Sequence, residues 1–185
     1  ANLDWELTQK TINAQVSKNK LVISQGFIGS DDNNFTTTLG REGSDYTAAI
    51  FAYALNAESV TIWKDVPGVL NGDPRVFENT KLLNQISYTE AIELAFYGAS
   101  VIHPKTLQPL QRKEIPLYVR SFLNPEGAGT SVSKGKTLEP HIPCYILKPK
   151  QVLIRLSSLD FSFMVEDNIS EVFALLYQYQ MRVDL

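Results

Sequence analysis

The sequence predicts an α/β fold with a largely parallel sheet, followed by a smaller second domain, and three observations carry that expectation. Short β-rich apolar runs alternate with helical patterns between residues 21 and 120, the order that builds parallel sheets. Residues 124–143 then turn to loop chemistry, with Asn124-Pro125-Glu126-Gly127 and the prolines Pro140 and Pro143, which marks a domain boundary. A new strand–helix–strand pattern opens beyond that boundary.

The elements follow in order. Leu3, Leu7, Ile12 and Val16 are spaced to line one side of a first helix. Leu21-Val22-Ile23-Ser24-Gln25 reads as a buried strand, and Gly26-Phe27-Ile28-Gly29 as a turn. Ser44 to Leu55 is Ala-rich and helical, with Ser44 or Asp45 as the N-cap. Ser59 to Trp63 is a second strand, and Asp65-Val66-Pro67-Gly68 and Asn71-Gly72-Asp73-Pro74 are turns. Ser87 to Tyr97 is a helix whose Ser87 and Glu90 form a capping box, stopped by Gly98. His103-Pro104 opens a short helix over Thr106 to Lys113, and Leu117 to Arg120 is a strand. After the boundary, Val152 to Leu156 is a strand and Ile169 to Met181 a helix with Val172, Phe173, Leu176 and Tyr179 as its apolar stripe. Arg182 to Leu185 starts another strand.

Composition narrows the function classes. An apolar content of 44% supports a real core, and a net charge of -3 argues against a general nucleic-acid or membrane surface. No apolar run reaches the ~20 residues of a membrane span, and no secretory signal opens the chain. Cys144 is the single cysteine, so no intrachain disulfide is possible, which fits a reducing, cytoplasmic setting. His103 and His141 have no second histidine or cysteine at ligand spacing, so no metal site is expected.

The densest chemistry lies in Thr36-Thr37-Thr38-Leu39-Gly40-Arg41-Glu42-Gly43-Ser44-Asp45-Tyr46-Thr47-Ala48-Ala49. A small-residue loop running into a helix start aims free N–H groups and the helix dipole at an anion. Arg41 adds a planar guanidinium that can grip a carboxylate in two parallel hydrogen bonds, unless it is a surface arginine paired with Glu42. Asp45 adds a carboxylate to the first helical turn. Lys64 and Asp65 follow a strand end, where α/β proteins place ligands, although a solvated turn is the plain alternative.

This run resembles the substrate loop of aspartokinases, in the amino-acid-kinase superfamily. Ile62-Trp63-Lys64-Asp65-Val66-Pro67-Gly68-Val69, then Asp73-Pro74-Arg75, is similar to the family's nucleotide-side segment, and Glu90 to Pro104 to its next helix and turn. Together these cover most of residues 21–131. The resemblance implies a three-layer, mostly parallel kinase fold over residues 1–143, with 144–185 as the opening β-α-β of an ACT-like, ferredoxin-type regulatory domain. It implies transfer of the γ-phosphoryl of ATP, with Mg²⁺, to the side-chain carboxylate of L-aspartate, a first step of lysine, threonine and methionine biosynthesis under end-product control. Asp45 takes the active-site aspartate's place, and Arg41, Gly43 and Ser44 bind the amino acid. Lys64, Asp65, Arg75, Ser100 and Val101 border the nucleotide. A homodimer is implied, and an effector amino acid at the ACT-like end. The family's opening Lys-Phe-Gly-Gly motif is absent, so the chain is expected to be a fragment, inactive alone.

Three positions depart from the family's pattern. Glu42 stands where glycine is commoner, and would cost roughly 1–2 kcal/mol if φ must be positive. Leu70 stands where some relatives carry tyrosine, and Ser100 where some carry lysine. The alternatives are another amino-acid kinase of the superfamily or a non-catalytic effector-binding module.

Overall fold

The computed structural model describes residues 3–16, 21–99, 101–157, 165–181 and 183. The chain divides into two units, 1–148 and 149–185. Among the described residues no helix is long and apolar enough to cross a membrane.

In the first unit, helix α1 spans Trp5–Val16, and a two-stranded antiparallel hairpin follows, β1 (Ile28–Ser30) with β2 (Thr36–Thr38). Helix α2 is Gly43–Leu55. A mixed sheet combines β3 (Val60–Lys64), β4 (Gln85–Ser87), β5 (Leu117–Ser121) and β6 (Thr130–Ser133) in the order β3-β5-β6-β4. The β3–β5 and β4–β6 pairings are parallel, and β5–β6 is antiparallel. Helices α3 (Tyr88–Tyr97) and α4 (Pro104–Lys113) sit between β4 and β5 in the chain.

Local chemistry sets the helix ends. Ser87 Oγ accepts from the Glu90 N–H and the Glu90 carboxylate accepts from the Ser87 N–H, the reciprocal cap expected there. Gly98 closes α3 at φ 119, a conformation that costs glycine nothing. His103 caps α4 by accepting the Lys105 N–H on Nδ1 at 3.1 Å. That is a structural role, and it lets Pro104 take the first helical position, where its missing N–H is no loss.

The core lies where inward residues of the sheet meet these helices. Val60 and Ile62 of β3, Leu117 and Val119 of β5, Ile86 of β4 and Val132 of β6 are buried with Leu107 and Leu110 of α4. Thr130 is the polar pin in it. Its hydroxyl accepts from the Val69 N–H at 2.8 Å and donates to the Leu83 carbonyl at 2.6 Å, so a buried hydroxyl satisfies two loop groups.

Tyr88 is 3% exposed and its hydroxyl donates to the Ile115 carbonyl. Burial, with Glu114 adding to it, pushes this phenol up to about 12. The fold favours the neutral phenol. Its contribution is therefore complete below the ordinary value of 10.0 and is lost as pH rises from there through about 12. Tyr88→Phe is expected to cost about 1 kcal/mol at neutral pH, with the gap to the parent narrowing at pH 11, as urea unfolding at the two pH values would show.

In the first unit three expectations are corrected. Leu21 to Gln25 forms no strand: Leu21 is 82% exposed and Ile23 92%, since this apolar run finds no partner strand among the described residues. Helix α2 starts one residue early. Its N-cap is Glu42, not Ser44 or Asp45, and no side chain caps it. Strands β4 and β6 fall in stretches that carry no strand pattern of their own.

In the second unit the expected helix forms as α5, Glu166–Gln178, with Val172 and Leu176 half-buried and Phe173 and Tyr179 exposed. Val152 to Leu156, expected as a strand, has no ladder partner among the described residues and stays exposed. Of the final expected strand, Arg182, Asp184 and Leu185 lie outside the described residues.

Candidate active site

The site is built where the hairpin, the start of α2 and the end of β3 converge. The hairpin is tied to α2 by Thr47, whose hydroxyl donates to the Gly43 carbonyl at 2.9 Å and accepts the Phe27 N–H at 3.0 Å. Gly43 must be glycine for this approach, since a Cβ there would lie 2.8 Å from the Phe27 ring and 3.1 Å from Leu39 Cβ. Gly40, at φ +81, turns the chain from β2 into the helix.

Glu42 then sits at φ 54, ψ 32, the left-handed region that costs a non-glycine residue roughly 1–2 kcal/mol. One of its carboxylate oxygens, Oε2, is buried without a hydrogen bond, and the other lies 4.0 Å from Arg41 Nε. Arg41 itself is 77% exposed, so this contact adds little, and its guanidinium stands open to an incoming anion.

Asp45 and Lys64 meet. Lys64 Nζ, from the last residue of β3, lies 2.7 Å from Asp45 Oδ2 in the first turn of α2, with side chains 20% and 17% exposed. The contact is an ion pair rather than an aligned hydrogen bond, because Oδ2 has no hydrogen-bond partner. A half-enclosed pair of this kind fixes an ammonium group beside the positive end of a helix. Both residues are separately legible in the sequence, but their juxtaposition is not, since it depends on how β3 stacks beside α2.

Ser44 is exposed and lines an open cavity of about 480 Å³. Ser24, Gly26, Thr47 and Phe51 share that wall. Ser24 and Thr47, which the sequence pattern did not single out, line this cavity beside Ser44. The available signal was a hydroxyl breaking the apolar run at Ser24 and one on the α2 face next to Ser44.

Asp65 is exposed beyond the end of β3. Arg75 is 82% exposed and turned back on Asp73, with Nη2 2.7 Å from Asp73 Oδ2 and Nε 3.0 Å from Oδ1. These hydrogen bonds hold the Asp73 carboxyl below its ordinary range and raise the arginine. Val101 is half-buried after α3, and Ser100 lies outside the described residues. No group of three or more His, Cys, Asp or Glu that could hold a metal occurs among the described residues.

Comparison with known proteins gives a consistent answer. Residues 1–121 match the amino acid kinase family. Over 165 residues the chain is 45% identical to lysine-sensitive aspartokinase 3 of Escherichia coli K12, an overlap of 89% of this chain and 36% of that protein. It is 41% identical over 131 residues to a chloroplastic bifunctional aspartokinase/homoserine dehydrogenase 2 of Arabidopsis thaliana, covering 70% of this chain and 14% of that one. Among solved structures, E. coli aspartokinase III in complex with aspartate and ADP, in its R-state, matches with a TM-score of 0.69 at 39% identity. That match covers 97% of this chain and 40% of the other. Aspartate kinase from Clostridium acetobutylicum matches with a TM-score of 0.66 at 33% identity, covering 72% and 31%. The chain therefore spans well under half the length of these relatives.

Proposed function

The chain belongs to the amino acid kinase family, and from that premise we propose that the full-length protein containing it is an aspartate kinase, moving the γ-phosphoryl of ATP onto the side-chain carboxylate of L-aspartate. The observation that carries the proposal is the Asp45–Lys64 ion pair at the first turn of α2, four residues after an exposed arginine in a loop of small residues. The solved E. coli relative was captured with aspartate and ADP, which supports the same substrates here.

In this reading the bond between the γ-phosphorus and the β–γ bridging oxygen breaks, ADP leaves with the electron pair, and a carboxylate oxygen of aspartate bonds to phosphorus. That oxygen is already ionised, so no general base is needed, and positioning and charge neutralisation do the catalysis. Arg41, exposed in the loop before α2, grips one carboxylate of the substrate, and the Ser44 hydroxyl at the helix start offers a further hydrogen bond. Asp45 holds Lys64 in place, and the lysine offsets charge on the transferring group. Asp65, Arg75, Ser100 and Val101 border the nucleotide. The described carboxylates build no metal cage, and Asp45 is already committed to Lys64, so Mg²⁺ would enter on the nucleotide phosphates, as it commonly does. Residues 144–185 open an ACT-like regulatory domain that binds an effector amino acid, in a homodimeric enzyme of lysine, threonine and methionine synthesis. A relative named for its sensitivity to lysine supports the effector-binding part of this reading.

Arg41→Lys tests the proposal in the full-length protein. A single ammonium cannot reproduce the two-point grip, so the KM for aspartate should rise about tenfold or more while the KM for ATP stays almost unchanged. Unaltered aspartate kinetics would remove Arg41 from the site. ADP release that depends on a nucleoside monophosphate instead of aspartate would overturn the substrate assignment.

A further inference from the structure

We propose that Asn71 is a positioning residue for the nucleotide-side turn, fastening Asp73-Pro74-Arg75 to the segment 143–145; the inference rests on the assignment of Arg75 to the nucleotide made above.

Residues 69–83 form an antiparallel loop closed by pairing of Leu83 with Val69, of Leu70 with Leu82, and of the Asn71 N–H with the Lys81 carbonyl at 3.0 Å. A regular ladder would return the bond from the Lys81 N–H to the Asn71 carbonyl. That carbonyl is diverted: it accepts the Tyr145 N–H at 2.7 Å. The side chain of Asn71 takes its place, with Oδ1 accepting the Lys81 N–H at 2.7 Å. Its other end, Nδ2, donates to the Pro143 carbonyl at 3.1 Å. One residue thus closes the base of the loop and fastens it to a second stretch of chain. The Phe77 and Tyr145 rings, 5.7 Å apart, extend the same contact on the far side of the turn.

The chemistry demands asparagine. The position needs an acceptor and a donor at the reach of one short amide. Aspartate keeps the acceptor and loses the donor, and alanine loses both. Between Asn71 and Phe77 the turn carries its own bonds, with the Val76 and Phe77 N–H groups on the Asp73 carbonyl at 3.0 and 2.9 Å. The turn is therefore rigid within itself, and its placement depends on how its base is held. Arg75, exposed at the tip, moves with that base.

The test uses the full-length protein and calorimetric Kd values for ATP and for aspartate, which do not require turnover. Asn71→Ala should weaken ATP about fivefold to tenfold, the scale of one or two lost hydrogen bonds, and leave aspartate within about twofold. Asn71→Asp should fall between the two. Because Asn71 acts through Arg75, adding Asn71→Ala to Arg75→Ala should weaken ATP by less than about twofold further. A purely structural role would lower the melting temperature and leave both Kd values alone, which would overturn the proposal. So would equal weakening of both ligands, or full additivity with Arg75→Ala. Absence of kinase turnover in the parent protein would count against the reaction proposed above, while the ATP Kd series would still decide the role of Asn71.

Discussion

Lys64→Met in the full-length protein is expected to lower kcat by about 100- to 1,000-fold, the scale seen when one fixed charge-stabilising group is removed from a reaction site. Methionine preserves most of the volume of the lysine stem and deletes only the ammonium that lies 2.7 Å from Asp45. The KM for ATP should change far less than kcat, because neutralising the transferring phosphoryl matters most at the transition state. Asp45→Asn should produce a loss of similar direction, since an unpaired Lys64 is free to leave its place. The two losses should not add. Once the pair is broken, removing the second partner should cost little more, so Asp45→Asn/Lys64→Met should resemble either single variant. Steady-state kinetics of the four proteins measures this, and additive losses would show that the residues act independently.

Gly129→Ala is expected to destabilise the first unit by more than about 4 kcal/mol, a size reserved for a gross steric or polar fault in a core. Gly129 precedes β6 at φ +70, and a Cβ there would sit 2.1 Å from the Val119 carbonyl oxygen in β5. Neither strand can retreat, because Val119 pairs with Thr130 and both are fully buried. Gly135 provides the comparison. Its φ is nearly the same, +68, but nothing lies within 4 Å of its would-be Cβ. Gly135→Ala should therefore cost only about 1–2 kcal/mol, the conformational part alone. Thermal unfolding of the two variants separates overlap from backbone strain, and equal losses would mean that the β5–β6 contact leaves room for a methyl group.

What could be read in the sequence was whatever a few neighbouring residues decide. The Ser87–Glu90 box and the Gly98 stop are chemistry within one or two turns of α3, and both appear as expected. Long-range pairing decides the rest. Strand β6 lies in a stretch of loop-forming residues and becomes a strand because Val132 can be buried between β5 and β4. Leu21 to Gln25 shows the reverse: an apolar run is only a demand for a partner, and with none among the described residues it stays exposed. The candidate site divides in the same way. The Arg41–Asp45 loop stands out by its residue types, while the Asp45–Lys64 pair needs the stacking of β3 beside α2. Glu42 is an instructive case, since its left-handed backbone is the geometry at which a glycine would be unstrained.

The central claim is that this loop and ion pair serve phosphoryl transfer to an amino-acid carboxylate. Trapping the product with hydroxylamine tests it most directly, because an acyl phosphate yields a hydroxamate and a phosphate ester does not. Full-length protein given ATP and aspartate should form aspartyl hydroxamate, and Lys64→Met should form at least about 100-fold less per unit time. ADP production from ATP with no aspartate-dependent hydroxamate, or hydroxamate formation unaffected by Lys64→Met, would contradict the account.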